Sequence, residues 1–409
     1  MNRKNFLKHL SHRISPKPGS YKMAGRALTL SVWLGLSLFV LPSDAAAGAK
    51  NPTRSARANT PDTVGEFANF GQWQGVSEFI DQLVERDGFN KVELESLLRK
   101  TRYLDSAIQL MKPAPAGRPK NWRAYRARFV EPVRINAGAA FWDQYADALS
   151  RAEAQYGVPA EIIVGIIGVE TVYGRNTGNF RVMDAITTLA FAYPNTPNRE
   201  ARSAYFKGEL ENTLLYARDA GLDPFSLKGS YAGAIGWPQF MPGSIRQFAL
   251  DFDGDGRIDL RNSPVDAIGS VANFLVKHGW KPGEPIVFPA SIAVKRDVPA
   301  EAIDGVTTSD KLNPLINKTE GWQRFIGQGL EASYSVAEFK SEGVLPGIEP
   351  PTDMRFGLVD LQNGEEPTEY WLGANNFYAI TQYNRSFFYA MSVIDLGRAV
   401  RAARTPADR

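Results

Sequence analysis

The segment from Pro159 to Gly174 constrains this chain more than any other. It reads PAEIIVGIIGVETVYG, and its middle, Ile162 to Val169, carries no polar side chain. Proline suits the first turn of a helix, where its missing N–H costs nothing. A helix that is apolar all round has no face to offer water, so other elements must surround it. A buried helix wrapped by other helices is the expected core.

The rest of the chain supplies the wrapping. VSEFIDQLVERDGF places Val76, Phe79, Ile80 and Leu83 at helical spacing. VELESLLRKTRYLDSAIQLM continues the pattern, and FWDQYADALSRAEAQYG, LENTLLYARDAG and VDAIGSVANFLVKHGW give further helices. After Trp280 the composition turns to Pro, Gly and β-branched residues, beginning with KPGEPIVFPASIAV, and reads as a small inserted β-containing domain up to about Pro351. Aromatic-rich strand and turn signals follow, then a helix at SFFYAMSVIDLGRAVRAAR. The fold class is mainly α, without internal repeats.

The N-terminal part reads differently. Residues 27–41 form the apolar run ALTLSVWLGLSLFVL, preceded by Arg26 and followed by small residues from Ala45 to Ala49. A basic flank, an apolar core and small residues at the cut make a secretory signal, expected over residues 1–47, with Met23 as an alternative start. The same run can also stay uncleaved as a membrane anchor. No cysteine exists to carry a lipid, so a lipoprotein is excluded. Residues 48–66, rich in Ala, Pro, Thr, Asn and Arg, read as a linker. An exported, periplasmic protein is expected.

Composition removes several chemistries. Without cysteine there are no disulfides, thiolate nucleophiles or iron–sulfur sites. Two of the three histidines, His9 and His12, fall in the leader, which leaves His278 alone. A His-rich metal site is thereby excluded, and organic-cofactor motifs are absent. A net charge of +3 on 409 residues is too balanced for a nucleic-acid partner. Catalysis must rest on carboxylates, tyrosines and amides.

Glu170 stands directly after the apolar run. A carboxyl group packed among Ile and Val is costly to ionise, so its pKa should rise, as a general acid near neutral pH requires. The alternative is a structural ion pair with Arg175 or Arg181. Gly174 is expected to end the helix. A second acidic feature, Asp251-Phe-Asp253-Gly-Asp255-Gly256-Arg257-Ile258-Asp259, has the spacing of a calcium loop. Alternate carboxylates of Asp251, Asp253 and Asp255 would converge on one ion, Arg257 would add its backbone carbonyl and Ile258 would pack inward. The alternative there is a solvated acidic turn.

Four blocks in one order carry a family resemblance. They are VGIIGVETVYGRNTGNFRVMDAITTLAFAYP, LKGSYAGAIGWPQFMPGSIRQFALDFDGDGRIDL, VDAIGSVANFLVKHGW and YWLGANNFYAITQYNRSFFYAMSVIDLG. From about residue 67 to 403 the chain resembles the membrane-bound lytic murein transglycosylase B family (glycoside hydrolase family 103). The resemblance implies a lysozyme-like helical catalytic core. The partner would be peptidoglycan glycan strands. The glutamate matching Glu170 would protonate the glycosidic oxygen and then act as base on the muramic acid C6 hydroxyl, giving 1,6-anhydro ends without water.

It also implies supporting groups. Ser230 would position Glu170 or the sugar, and Gln239 would bind sugar amide or hydroxyl groups. Tyr383, Asn384 and Tyr389 match a cleft segment, in which Gln382 stands where an arginine is common. Phe274 stands where some relatives carry a tyrosine, leaving stacking alone. Arg202 aligns with a substrate-binding arginine. Ordinary core packing is the alternative for each aromatic. At the twelfth loop position Asn262 replaces the usual glutamate, and the family closes its structural calcium site with a later aspartate, here Asp266.

The implied organisation is a helical domain at 67–145, a catalytic core at 146–280 with the calcium loop at 251–266, the β-containing domain at 281–351 and a C-terminal return to the core at 352–409. Two other functions remain open at this point: a hydrolytic muramidase using the same glutamate, and a non-catalytic peptidoglycan-binding protein. Cell-wall synthesis or division machinery as a partner is also left open.

Overall fold

A computed structural model describes residues 70, 73, 75–113, 119–293 and 321–404. The expected leader and linker lie outside the described residues, as does part of the expected β-containing domain. Among the described residues no helix is long and apolar enough to cross a membrane.

Among the described residues six helices precede the apolar one: α1 (Val76–Asp87), α2 (Lys91–Arg99), α3 (Asp105–Met111), α4 (Trp122–Arg126), α5 (Pro132–Gln144) and α6 (Ala146–Tyr156). Val76, Phe79, Ile80 and Leu83 of α1 are all buried, as their spacing requires. Two expected continuous helices are broken. The stretch after Val92 divides into α2 and α3, and FWDQYADALSRAEAQYG divides at Tyr145 between α5 and α6. The leading helices do not build a core of their own. Their buried residues belong to the cluster that also holds the apolar helix.

That helix is α7 (Ala160–Thr171), with Pro159 at its N-cap. Ten of its twelve residues are buried. Its four isoleucines, Ile162, Ile163, Ile166 and Ile167, each contribute roughly 1.5–3 kcal/mol by leaving water. The helices α8 (Val182–Ala192), α9 (Arg199–Asp219), α10 (Pro242–Phe248), α11 (Pro264–Lys277), α13 (Asn375–Thr381) and α14 (Phe387–Arg404) follow, with the short α12 (Val336–Ser341) between α11 and α13. Helices α5, α6, α11 and α14 pack directly on α7. The α7–α14 contact is closest at two glycines. Gly165 lies against the Val393 carbonyl and Gly397 against the Glu161 carbonyl, so a Cβ at either would strike backbone.

Among the described residues two sheets complete the fold. Strands β1 (Phe180–Arg181) and β2 (Lys228–Gly229) pair antiparallel beside α8. The larger sheet has the order β4-β6-β7-β3-β5 and is antiparallel throughout. Its strands are β3 (Val287–Ile292), β4 (Tyr334–Ser335), β5 (Val344–Pro346), β6 (Arg355–Asn363) and β7 (Glu366–Gly373). One of its faces has a separate small core built on Phe325, Phe339, Phe356 and Leu372. Val359 and Leu361 of β6 face the main core instead. The two longest strands lie beyond the expected boundary at residue 351, so the β unit runs to Gly373 and the return to the helical core begins at α13.

Candidate active site

Helix α7 ends earlier than its glycine suggests. Its last residue is Thr171, and Val172 and Tyr173 already have φ of 52° and 55°. A β-branched residue in the left-handed region is costly, about 1–3 kcal/mol, and persists only where the surroundings impose it. Among the described residues the third non-glycine with positive φ is Gln239, at 50°. All three therefore sit in the same neighbourhood, around Glu170.

The hook after Glu170 is held by Thr171. Its Oγ1 donates to the Trp237 carbonyl at 3.0 Å and accepts from the Gly174 amide at 3.0 Å. Trp237 is itself anchored, its amide donating to the Leu260 carbonyl at 2.8 Å and its indole N–H to the Arg261 carbonyl at 3.1 Å. The end of α7, the 228–239 loop and the acidic loop are thus linked by hydrogen bonds.

Glu170 opens into a cavity of about 410 Å³. Among the described residues it is the only carboxyl group lining that cavity. Burial pushes its pKa from 4.5 up to about 7, while a hydrogen bond pulls the other way. That bond comes from Tyr389, whose hydroxyl donates to Glu170 Oε1 at 2.7 Å. Burial, and next the charge of Glu170, raise the pKa of Tyr389 well above the phenol range, so it remains a donor. The ion-pair alternative is not realised. Arg181 pairs with Asp184 at 2.6 Å, and no ion pair reaches Glu170 among the described residues. His278 is not part of the lining; its Nδ1 contacts the Phe274 carbonyl at 2.7 Å.

Four other expected residues line the cavity: Ser230, Gln239, Asn384 and Tyr389. Ser230 Oγ accepts from the Ala234 amide at 3.0 Å, which spends a lone pair and leaves its O–H to donate. Gln239 Nε2 donates to the Gly236 and Thr177 carbonyls at 2.8 and 3.2 Å. Its amide N–H groups are therefore committed to the protein, and its Oε1 is the atom left for a ligand.

Three expected ligand contacts are not brought to the cavity. Arg202 is buried on α9, because its side chain falls on the inward face of that helix. Phe274 is buried among Phe240, Phe248, His278 and Tyr383, with the His278 ring centroid at 3.9 Å, so it is core. Tyr383 donates its hydroxyl to the Pro238 carbonyl at 2.5 Å and stacks on Tyr389, with ring centroids 6.2 Å apart. It supports Tyr389 from behind.

Sequence reasoning missed the wall contributed by the leading helices. Tyr125 of α4, Phe129 in the turn between α4 and α5, and Arg134 of α5 line the cavity. Burial, and secondarily Glu170, raise the Tyr125 pKa to about 12. Arg134 is held by the Gly168 carbonyl at 2.9 Å, and burial lowers its pKa. The run NWRAYRARF is the only signal, and its aromatic–arginine mixture does not reveal which core it meets.

In the acidic loop, Asp251, Asp253 and Asp255 each place a carboxylate oxygen within 4.8 Å of the others. Gly256, at φ 87°, permits the turn, and its amide donates to Asp251 Oδ2 at 2.8 Å. Three exposed, hard oxygen donors suit a hard divalent cation such as calcium. Asp266 is not in the cluster. Its Oδ1 accepts from the Phe252 amide and its Oδ2 from the Asp259 amide, both at 2.8 Å, so it straps the loop to α11. Ile258, expected to pack inward, is 38% exposed.

A helical core around a buried, proton-holding carboxyl group in a cleft marks an acid–base enzyme, and its relatives place it in the lysozyme-like, glycan-cleaving class. The family model described as "Transglycosylase SLT domain" matches residues 71–398. Membrane-bound lytic murein transglycosylase B of Escherichia coli (strain K12) is 41% identical over 349 residues, 83% of this chain and 85% of that protein. Among solved structures, soluble lytic transglycosylase SltB1 from Pseudomonas aeruginosa aligns with a TM-score of 0.68 at 41% identity, covering 80% of this chain and 99% of that one. Escherichia coli Slt35 aligns with a TM-score of 0.67 at 40% identity, covering 83% and 96%, in complexes with bulgecin A and with calcium. The chain belongs to the lytic transglycosylase family that includes membrane-bound lytic murein transglycosylase B.

Proposed function

We propose that this protein is a peptidoglycan lytic transglycosylase that cleaves the MurNAc–GlcNAc β-1,4 bond and leaves 1,6-anhydroMurNAc ends, with Glu170 as acid and then base. The observation that carries this reading is that, among the described residues, one carboxyl group lines the cavity, held near neutral pKa by burial. A pair of carboxylates about 5–9.5 Å apart would be needed for the usual hydrolytic routes. One group suffices if it is used twice. Protonated Glu170 gives its proton to the glycosidic oxygen as the C1–O bond breaks. The resulting carboxylate takes the proton of the C6 hydroxyl as that oxygen attacks C1. Glu170 is returned to its starting state and no water is consumed.

The other residues have matching tasks. Tyr389 stabilises the carboxylate formed midway, since hydrogen bonds to ionised groups are the stronger ones. The Ser230 hydroxyl, the Gln239 Oε1 and Asn384 contact the sugar, while Tyr125 and Phe129 supply ring faces. Tyr383 positions Tyr389, and Thr171 fixes the turn that aims Glu170. Asp251, Asp253 and Asp255 would hold a calcium ion, whose two positive charges would offset most of the repulsion among the three carboxylates and stiffen the loop that leads to Leu260 and Arg261. The apolar N-terminal run directs the protein to the periplasm. Mass spectrometry of a murein digest tests the function directly. Products lighter by one water than the hydrolysed muropeptides support it, and hydrated products alone refute it.

A further inference from the structure

A second cavity, of about 910 Å³, is lined by the end of α9, the segment after it and the acidic loop. Lys228 and Ile235 line this cavity, whereas Ser230 and Gln239 line the catalytic one, so the 228–239 segment forms a wall of both. None of the residues assigned above to sugar binding or proton transfer reaches it.

Its walls have two properties that a merely structural hollow does not need. Leu222 and Ile258 are 40% and 38% exposed and stand in the same cavity, two of the six large exposed hydrophobics among the described residues. Exposed apolar side chains gathered in one hollow mark a place where a ligand removes them from water. The cavity also carries an excess of cations. Lys228, Arg257 and Arg261 line it without a carboxylate partner among the described residues. Arg261 Nη1 donates to the Lys228 carbonyl at 3.0 Å, which fixes its guanidinium beside the lysine. The two carboxylates in the lining are already engaged: Asp219 pairs with Arg218 at 3.1 Å and Arg246 at 3.7 Å, and Asp259 accepts from the Arg261 and Asn262 amides at 3.1 and 2.9 Å, so the open charge of the cavity is positive.

We propose that this cavity is an accessory site for the stem peptide of murein. The proposal rests on the reading that the protein acts on peptidoglycan. The stem is a short chain with free carboxylates, a diamino acid and alanines. Its carboxylates match Lys228, Arg257 and Arg261, and its methyl groups match Leu222 and Ile258. A purely anionic polymer satisfies the cations but not the apolar walls. Occupancy would hold a glycan strand by its side chain while the cleft engages the sugars, so peptide-bearing strands gain affinity over bare ones.

The test uses sugar-free stem peptide titrated into the full chain by calorimetry, with polyglutamate as the control anion. Lys228→Glu combined with Leu222→Ser should weaken peptide binding by roughly tenfold or more, while Glu170→Gln should bind it like the parent. Both altered side chains point outward in an exposed hollow, and Lys228→Glu alone serves as the milder variant. On peptide-bearing murein the double variant should show a raised KM and an unchanged kcat. On strands stripped of peptide it should match the parent. Unchanged peptide affinity, an equal loss on bare strands, or equally tight polyglutamate binding overturns the accessory site. A parent that cleaves no murein overturns the functional reading instead, and the peptide titration still decides this one.

Discussion

Replacing Glu170 by glutamine should make the protein's stability less sensitive to pH. Burial raises the Glu170 pKa from 4.5 in the ordinary state to about 7 in the fold. The folded chain therefore holds this proton more tightly than the unfolded chain does. Stability from this group is fully present below about pH 4.5, falls as pH rises, and levels off above about pH 7. The difference between the two values, at about 1.4 kcal/mol per pH unit, amounts to roughly 3 kcal/mol. The carboxyl group faces a wet cleft, so water recovers part of this, and about 1.5 kcal/mol is a fair lower bound. Glutamine keeps the shape and has no proton to lose. The variant's advantage over the parent should then grow from near zero at about pH 4 to roughly 1.5–3 kcal/mol at about pH 8. Glu209, buried on α9 and also raised to about 7, contributes the same trend to both proteins and cancels in the difference. Urea unfolding of both proteins at the two pH values reads the quantity. A difference that stays constant, or a parent that gains stability relative to the variant as pH rises, would refute the buried-carboxyl argument.

Tyr389→Phe should raise the alkaline limb of the kcat/KM profile for murein, because the lost hydrogen bond favours the Glu170 carboxylate. An alkaline limb that moves down or stays put contradicts that role. Thr171→Val should destabilise the fold by roughly 1–3 kcal/mol, leaving the Trp237 carbonyl and the Gly174 amide without their partner. It should also lower kcat more than it raises KM, and Thr171→Ser should restore both; a Ser variant as impaired as Val would argue against the hydroxyl. Calcium at about 100 times its dissociation constant should stabilise the protein by roughly 2.7 kcal/mol in a melting experiment. Asp251→Ala with Asp255→Ala should abolish that response, and a response like the parent's would place the ion elsewhere.

Much of this architecture is legible in the sequence, for reasons that also set its limits. An eight-residue run without a polar side chain leaves α7 no choice but the centre. The position of Glu170 at its end follows, and alternate aspartates bring their carboxylates together through local turn geometry alone. Arg202 and Phe274 show where the reading stops. Both lie on helices with mixed faces, and spacing does not say which face meets the cleft and which meets the core. Asp266 carries the right chemistry for a metal but spends its oxygens on amides, a competition that only coordinates reveal. The contribution of Tyr125, Phe129 and Arg134 joins parts of the chain that periodicity treats separately. The left-handed turn at Val172 and Tyr173 runs against local preference and is imposed by the packing and hydrogen bonds around it.

The most direct measurement of the central claim is the release of 1,6-anhydromuropeptides from purified murein by the parent and by Glu170→Gln. Each acid–base role of one group is worth roughly a hundred- to ten-thousand-fold in rate. Glu170 serves both, so the variant's release should fall to background while it still folds and still sediments with murein through Gln239, Asn384 and the remaining cleft. Near-parent release by Glu170→Gln would contradict the assignment and move the chemistry to another group.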